Sequence, residues 1–210
     1  MNKLFQYDQK QGIIIGTDEA GRGPAAGGVF AACVYFPEVT KSLICDLEKL
    51  NDSKKLTRQT RENLYDTIIN NSINSIVCIE VDEIEKINIL NSSLKAMKFA
   101  CEKVVQKAKL SDLMTLVDGN RLIKNYSYPQ KPIVKGDSKS ASIAAASILA
   151  KVSRDRYMEK LALEYPQYGW QTNAGYLTKE HLDAIDKYGL CKYHRPSFLK
   201  KHFEKQLSLF

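Results

Sequence analysis

Between Ser140 and Ala150 the chain reads Ser-Ala-Ser-Ile-Ala-Ala-Ala-Ser-Ile-Leu-Ala. Small and apolar side chains recur almost all round this segment. A helix of that kind is buried against close neighbours. Its pattern extends from Ser138 to Tyr165, where Pro166 stops it. Any fold for this chain must therefore be organised around one central, tightly packed helix.

The remaining elements alternate in type. Ile13–Thr17 and Val29–Phe36 are apolar and β-rich, and the short connection between them favours an antiparallel pair. Ser75–Val81, Leu113–Val117 and Pro132–Val134 read as further strands. Ile84 to Lys107 is helical in pattern, with Leu94, Met97, Ala100, Cys101 and Val104 on one stripe. Thr57 caps a helix, and Thr178–Tyr188 is a short helix with Gly189 just past its end. Helices interleaved with strands predict an α/β protein, with a mixed sheet that begins antiparallel and is flanked by helices, and a helical C-terminal part. A length of 210 residues suits one domain, and no internal repeat or linker divides it.

The composition, 44% hydrophobic and 26% charged, excludes a disordered chain. The net charge of +7 permits nucleic acid as a partner without demanding it. The five cysteines, Cys33, Cys45, Cys78, Cys101 and Cys191, form no C-x-x-C pair and read as reduced. The start carries no apolar signal-peptide region, and no apolar stretch is long enough to span a bilayer. The expectation is a cytoplasmic monomer.

Chemistry concentrates at strand exits. Asp18-Glu19 follows the first strand and precedes Gly21-Arg22-Gly23; Asp118 follows the fourth; Asp137 follows the fifth. Ligands of α/β sheets gather at strand ends. Four converging carboxylates repel one another unless divalent cations relieve them, and hard oxygen donors favour Mg²⁺ or Mn²⁺. Each acid also has a plainer reading: Asp118-Gly119-Asn120 as a turn, Asp137 as a helix cap, Asp18-Glu19 as a solvated loop. Adjacent residues on a regular strand face opposite ways, so Asp18 and Glu19 are expected to converge by the strand ending or bending at Glu19.

The chain resembles type-2 ribonuclease H, or ribonuclease HII. The matching segments are Gly16–Pro24, Asp52–Leu56, Asp118–Arg121, Lys135–Asp155, Gly175-Tyr176, His181, Tyr188-Gly189 and His194–Phe198, in order along most of the chain. The resemblance implies a ribonuclease H-like catalytic domain over residues 1–200. It implies an endonuclease that hydrolyses RNA paired with DNA and incises 5′ of single ribonucleotides embedded in duplex DNA. Asp18, Glu19, Asp118 and Asp137 would be catalytic and would bind two Mg²⁺ or Mn²⁺ ions. Gly21, Arg22 and Gly23 would read the 2′-OH, and Tyr176 would pack against the deoxyribose beyond it. Lys54, Lys139 and Ser138 join the substrate-binding candidates, and Lys55, Lys135, Lys151, Arg154 and Arg156 are further basic candidates for phosphate contacts. His181 and His194 have no metal-site spacing and read as structural. Where the family often has Lys-His before Gly175, this chain has Asn173-Ala174, and Leu190–Tyr193 departs likewise. Type-3 ribonuclease H shares the acid set, and a non-catalytic nucleic-acid-binding module is the alternative of another class.

The last residues, 201–210, read as a tail. Gln206-Leu207-Ser208-Leu209-Phe210 resembles the peptide by which bacterial replication and repair proteins bind the DNA sliding clamp.

Overall fold

The computed structural model describes residues 2–50 and 56–207. A five-stranded mixed sheet forms its centre, in the order β3-β2-β1-β4-β5. The strands are β1 (Ile14–Ala20), β2 (Val29–Tyr35), β3 (Ile73–Ile79), β4 (Met114–Asp118) and β5 (Gln130–Ile133). β1 pairs antiparallel with β2, and β2 with β3, whereas β4 runs parallel to both β1 and β5. The helices are α1 (Lys3–Gln9), α2 (Lys41–Asp46), α3 (Arg58–Asn71), α4 (Val81–Ala108), α5 (Ala141–Glu164), α6 (Trp170–Asn173), α7 (Lys179–Tyr188) and α8 (Pro196–Leu207). None is long and apolar enough to cross a membrane, among the described residues.

Alternation along β2 sends its side chains to two cores. Ala32 and Val34 join α5, α3 and Phe5 on one face, while Val29, Ala31 and Cys33 join Met97, Ala100 and Val104 of α4 on the other. A third cluster unites Ala25 and Ala26 with Met158 and Leu161 of α5, Trp170, Ile185 and Leu199. That cluster seats the C-terminal helices beside the loop after β1.

α5 lies against β1 more closely than ordinary side chains permit. A Cβ on Gly16 would stand 2.4 Å from the backbone of Ser142 and Ile143. Ser140 caps α5 through its Oγ, which accepts from the Ile143 amide at 3.3 Å. Asp8 of α1 accepts from the Ser142 amide at 2.8 Å and ties the N-terminal helix to the same turn. Asp137 is thus not the cap.

Three local expectations are corrected. β1 neither ends at Thr17 nor bends at Glu19. Asp18, Glu19 and Ala20 stay paired with Ala32, Ala31 and Phe30, because β2 offers backbone partners along that whole length. The third strand stops at Ile79, and Glu80 and Val81 instead open α4. α4 is broken at Asn88, whose φ of 66° is non-helical; its side chain then caps the following turn by accepting from the Asn91 amide at 3.1 Å. Thr57, Thr178 and Gly189 occupy the cap positions expected of them.

Filling the Gly16 contact tests the packing. Gly16→Ala forces α5 off β1 and is expected to destabilise the protein by about 1–3 kcal/mol. A thermal melt that matches the unsubstituted protein would show that the contact is slack.

Candidate active site

The four acids meet at one end of the sheet, brought there by three different elements. Asp18 sits near the end of β1 and is almost fully buried. Thr17 pairs with Val117, so the next residue on each strand, Asp18 and Asp118, stands level at the tip of a parallel pair. Asp137 lies on the short 3₁₀ turn Gly136–Ser138 that follows β5. The Gly136 amide donates to Asp118 Oδ1 at 2.7 Å, which joins that turn to the end of β4.

Asp18 and Glu19 do point to opposite faces of the sheet. Asp18 meets Ser147 of α5, and Glu19 meets Ser93 of α4. They lie on either side of the sheet near the end of its central strand, with Asp118 close enough to act on both. The Glu19 amide donates to Asp18 Oδ1 at 2.7 Å, and Arg22 Nη1 donates to Glu19 Oε1 at 3.1 Å. Convergence therefore comes from neighbouring elements and not from a bend in β1.

The electrostatics are unfavourable for this many charges. Burial, and then the charges of Glu19 and Asp118, hold the Asp18 carboxyl well above the usual aspartate value. Burial raises Glu19 as well, against the opposing pull of Arg22. The donors are all carboxylate oxygens, the set that suits hard divalent cations. Among the described residues, no group of three or more potential ligands closes into a cage for an ion. A Mg²⁺ ion that retains waters and takes oxygens from a bound phosphate does not require one. The residues fit such an ion.

One cavity of about 310 Å³ gathers the parts. Asp18, Glu19, Asp118 and Asp137 line it together with Gly21, Arg22, Gly23, Ser147, Lys151, Arg154 and Tyr176. Tyr176 is half exposed, and its ring edge lies 3.3 Å from where a Cβ on Gly23 would be. Behind Tyr176 stands a buried polar chain. The Cys191 amide donates to His194 Nδ1 at 3.0 Å, leaving the His194 proton on Nε2, 3.2 Å from His181 Nε2. Trp170 Nε1 also donates to His181 Nε2, at 3.0 Å, and His181 Nδ1 then donates to the Tyr176 carbonyl at 2.9 Å. Burial lowers both imidazoles, and His194 falls to about 4 with the help of His181. Both are structural, neutral groups. Asn173 completes the support: its Oδ1 accepts from the Gly175 amide at 2.8 Å, and its Nδ2 donates to the Tyr168 carbonyl.

The basic candidates divide. Lys151 lines the cavity and pairs with Asp155 at 2.6 Å. Ser138 Oγ and Lys139 Nζ donate to the carbonyls of Lys135 and Val134, both at 2.8 Å, and brace the turn that carries Asp137. Lys135 is the left-handed residue that opens this turn. Arg154 is no surface contact: it is 2% exposed and bonded to backbone. Arg156 pairs with Glu62 and lies over the Tyr65 ring, outside the cavity lining. Lys54 and Lys55 lie outside the described residues. Ser93 stands in no motif of the sequence, and Ser147 and Arg195 stand in matching segments that assign them no role. Ser147 had a signal, because a hydroxyl within an apolar buried helix needs a partner.

A mixed sheet with carboxylates gathered at one end, and a buried helix laid across it, defines a nuclease of the ribonuclease H-like class. Ribonuclease H2 from Pyrococcus horikoshii OT3 has this fold, with a TM-score of 0.70 and 27% identity over 91% of this chain and 97% of that one. So has the ribonuclease HII solved in a PCNA complex from Archaeoglobus fulgidus, a likeness of fold at TM-score 0.69 and 22% identity, covering 87% of this chain and 93% of that one. The chain belongs to the ribonuclease HII family: the Ribonuclease HII family model matches residues 15–206. The ribonuclease HII of Fusobacterium nucleatum is 48% identical over 206 residues, 98% of this chain and 94% of that protein. The protein is thus a ribonuclease H, an endoribonuclease that acts on the RNA of RNA–DNA hybrids.

The strained charge at Asp18 has a measurable consequence. An acid whose folded value is raised loses stabilising power as pH climbs, because the unfolded chain ionises first. The metal-free protein should therefore melt lower as pH rises above the ordinary aspartate value, and Mg²⁺ or Mn²⁺ should restore it. Asp18→Asn is expected to raise the metal-free melting temperature at neutral pH by about 2 °C or more and to abolish the metal response. A variant that responds to metal as the unsubstituted protein does would exclude Asp18 as a ligand.

Proposed function

We propose that this ribonuclease HII incises duplex DNA 5′ of single embedded ribonucleotides, as well as cutting the RNA of hybrids, and leaves 3′-OH and 5′-phosphate ends. The observation that carries this reading is that the acids, the Gly21–Gly23 loop and Tyr176 all border one cavity. Asp18, Glu19, Asp118 and Asp137 would hold two Mg²⁺ or Mn²⁺ ions. Bound there, such ions supply an activated water and stabilisation of the leaving oxygen.

The chain's own groups do the rest. Asp118 is held by the Gly136 amide, and Asp18 by the Glu19 amide, so neither has to reorganise when substrate arrives. Arg22 stays on Glu19, which leaves the peptide groups of Gly21–Gly23, and not the guanidinium, to meet the sugar edge. The 2′-OH both donates and accepts, and it is the group that separates RNA from DNA at one position. Tyr176 offers an apolar face across from Gly23 on which a deoxyribose can pack, and the His181 bond to its carbonyl fixes that face. Lys151 provides positive charge at the cavity for phosphate.

A DNA duplex holding one ribonucleotide, with Mg²⁺ or Mn²⁺, tests the reading. Incision on the 5′ side is expected. Cutting of continuous hybrids alone would instead favour the specificity of type-3 ribonuclease H. Asp118→Asn should abolish incision by about a thousandfold or more while the far-ultraviolet spectrum is kept, because the fold does not depend on that charge. Full activity in Asp118→Asn would refute its role.

The C-terminal peptide Gln206–Phe210 is proposed to dock on a DNA sliding clamp, which would place the enzyme at sites of replication and ribonucleotide repair. The backbone of α8 reaches Leu207, and Ser208–Phe210 lie outside the described residues. The motif supports the proposal chemically: Leu209 and Phe210 suit an apolar pocket and Gln206 a polar rim. Removing the last five residues should abolish retention on an immobilised bacterial clamp and leave hybrid cleavage intact. Equal retention would exclude the peptide as the contact.

A further inference from the structure

Two arginines stand behind the loop that follows β1. Arg154 is 2% exposed and Arg195 is fully buried. Neither forms a salt bridge among the described residues. Burying a charge without a counter-charge is strongly unfavourable unless its hydrogen bonds are made elsewhere. Here they are made to backbone. Arg195 Nη1 donates to the carbonyls of Gly21 and Pro24, both at 2.8 Å, and its Nε and Nη2 donate to Gly27 at 2.8 and 2.6 Å. Arg154 Nη2 donates to the carbonyls of Ala26 and Ala174, each at 3.1 Å.

These bonds aim groups that lie on the far side of each peptide. A peptide is planar and trans, so its N–H points opposite to its C=O. Drawing the Gly21 carbonyl inward onto Arg195 turns the Arg22 amide the other way. Arg154 adds a second constraint. Its Nε makes no hydrogen bond and fills the space a side chain at residue 21 would need: a Cβ added to Gly21 would lie 2.3 Å away, on a backbone with φ of +99°. The same side chain holds Ala174, two residues before Tyr176, and the Ala25 amide donates to Gly175 at 2.8 Å. One guanidinium thus joins the glycine loop to the segment that presents Tyr176.

We infer that Arg154 and Arg195 are positioning residues that set the enzyme's discrimination for a ribonucleotide followed by DNA, by fixing the spacing and direction of the Gly21–Gly23 peptide edge relative to Tyr176. This rests on the reading that those two segments contact the junction. The acids do not depend on the arginines for their placement, since they are held by β1, β4, α5 and the Gly136 turn. Loss of the brace therefore relaxes recognition while the chemistry persists. Lysine keeps the charge, but its ammonium ends one bond short of the Nη2 that reaches both carbonyls from Arg154, and it lacks the planar fork by which Arg195 reaches Gly21, Pro24 and Gly27.

Arg154→Lys is tested against the unsubstituted enzyme by kcat/KM on two substrates: a duplex with one embedded ribonucleotide, and a continuous RNA–DNA hybrid. The ratio of the first to the second is expected to fall about tenfold or more, with hybrid cleavage within about threefold and the melting temperature nearly kept. An unchanged ratio, or equal losses on both substrates, overturns the inference. Arg195→Lys carries the same readout should Arg154→Lys not fold, and failure of both to fold overturns it by making the pair supports of the fold alone. An unsubstituted enzyme that leaves the single ribonucleotide uncut removes the junction reading and this inference with it. Incision by that enzyme with an unchanged ratio in Arg154→Lys removes this inference alone.

Discussion

The close approach of α5 to β1 is the contact on which the site depends. Gly16 lets the helix backbone touch the strand, and the alanines and serines at the start of α5 keep that distance short. The surroundings of two of the acids follow from it. Ser147, seven residues beyond the Ser140 cap, comes to face Asp18. The Gly136–Ser138 turn, which the Ser140 amide closes onto the Gly136 carbonyl at 2.8 Å, is drawn to the tip of β4. A bulkier strand or a looser helix would move both relative to Asp118.

Charge is arranged in two layers around the same loop. On the cavity side the carboxylates crowd, with Arg22 as the near counter-charge on Glu19. On the inner side two guanidiniums are spent on backbone carbonyls. Burial and the nearby Arg154 charge push Arg195 down to about 9, which still leaves it charged at neutral pH. The acid layer is unfavourable until cations arrive, whereas the basic layer is satisfied in the protein alone. That asymmetry suits the proposed roles, in which the recognition edge is built into the protein and ions and substrate would complete the reactive centre.

Much of this was legible in the residues. The apolar runs marked all five strands, and the stripe on Leu94, Met97, Ala100, Cys101 and Val104 marked the buried face of α4. The four acids stood out because they recur where strands leave the core and fall in the segments that resemble ribonuclease HII, and the structure brings them to one cavity. What escaped has physical reasons. α1 and α2 are short and owe their stability to tertiary contacts and caps, such as Asp8 on Ser142, which no local pattern displays. The extension of β1 through Ala20 depends on partners supplied by β2. Arg154 looked like a surface cation because its partners, Ala26 and Ala174, are remote in sequence and are carbonyls, which carry no residue identity.

Packing alone brings Asp18, Glu19 and Asp118 together, and their proposed role is to hold a divalent metal. Anomalous scattering from crystals soaked in Mn²⁺ tests it directly. A manganese peak is expected at the tip of β1 and β4, in contact with Asp18 and Asp118. Manganese bound elsewhere on the protein, with that tip empty at saturating concentration, would contradict it.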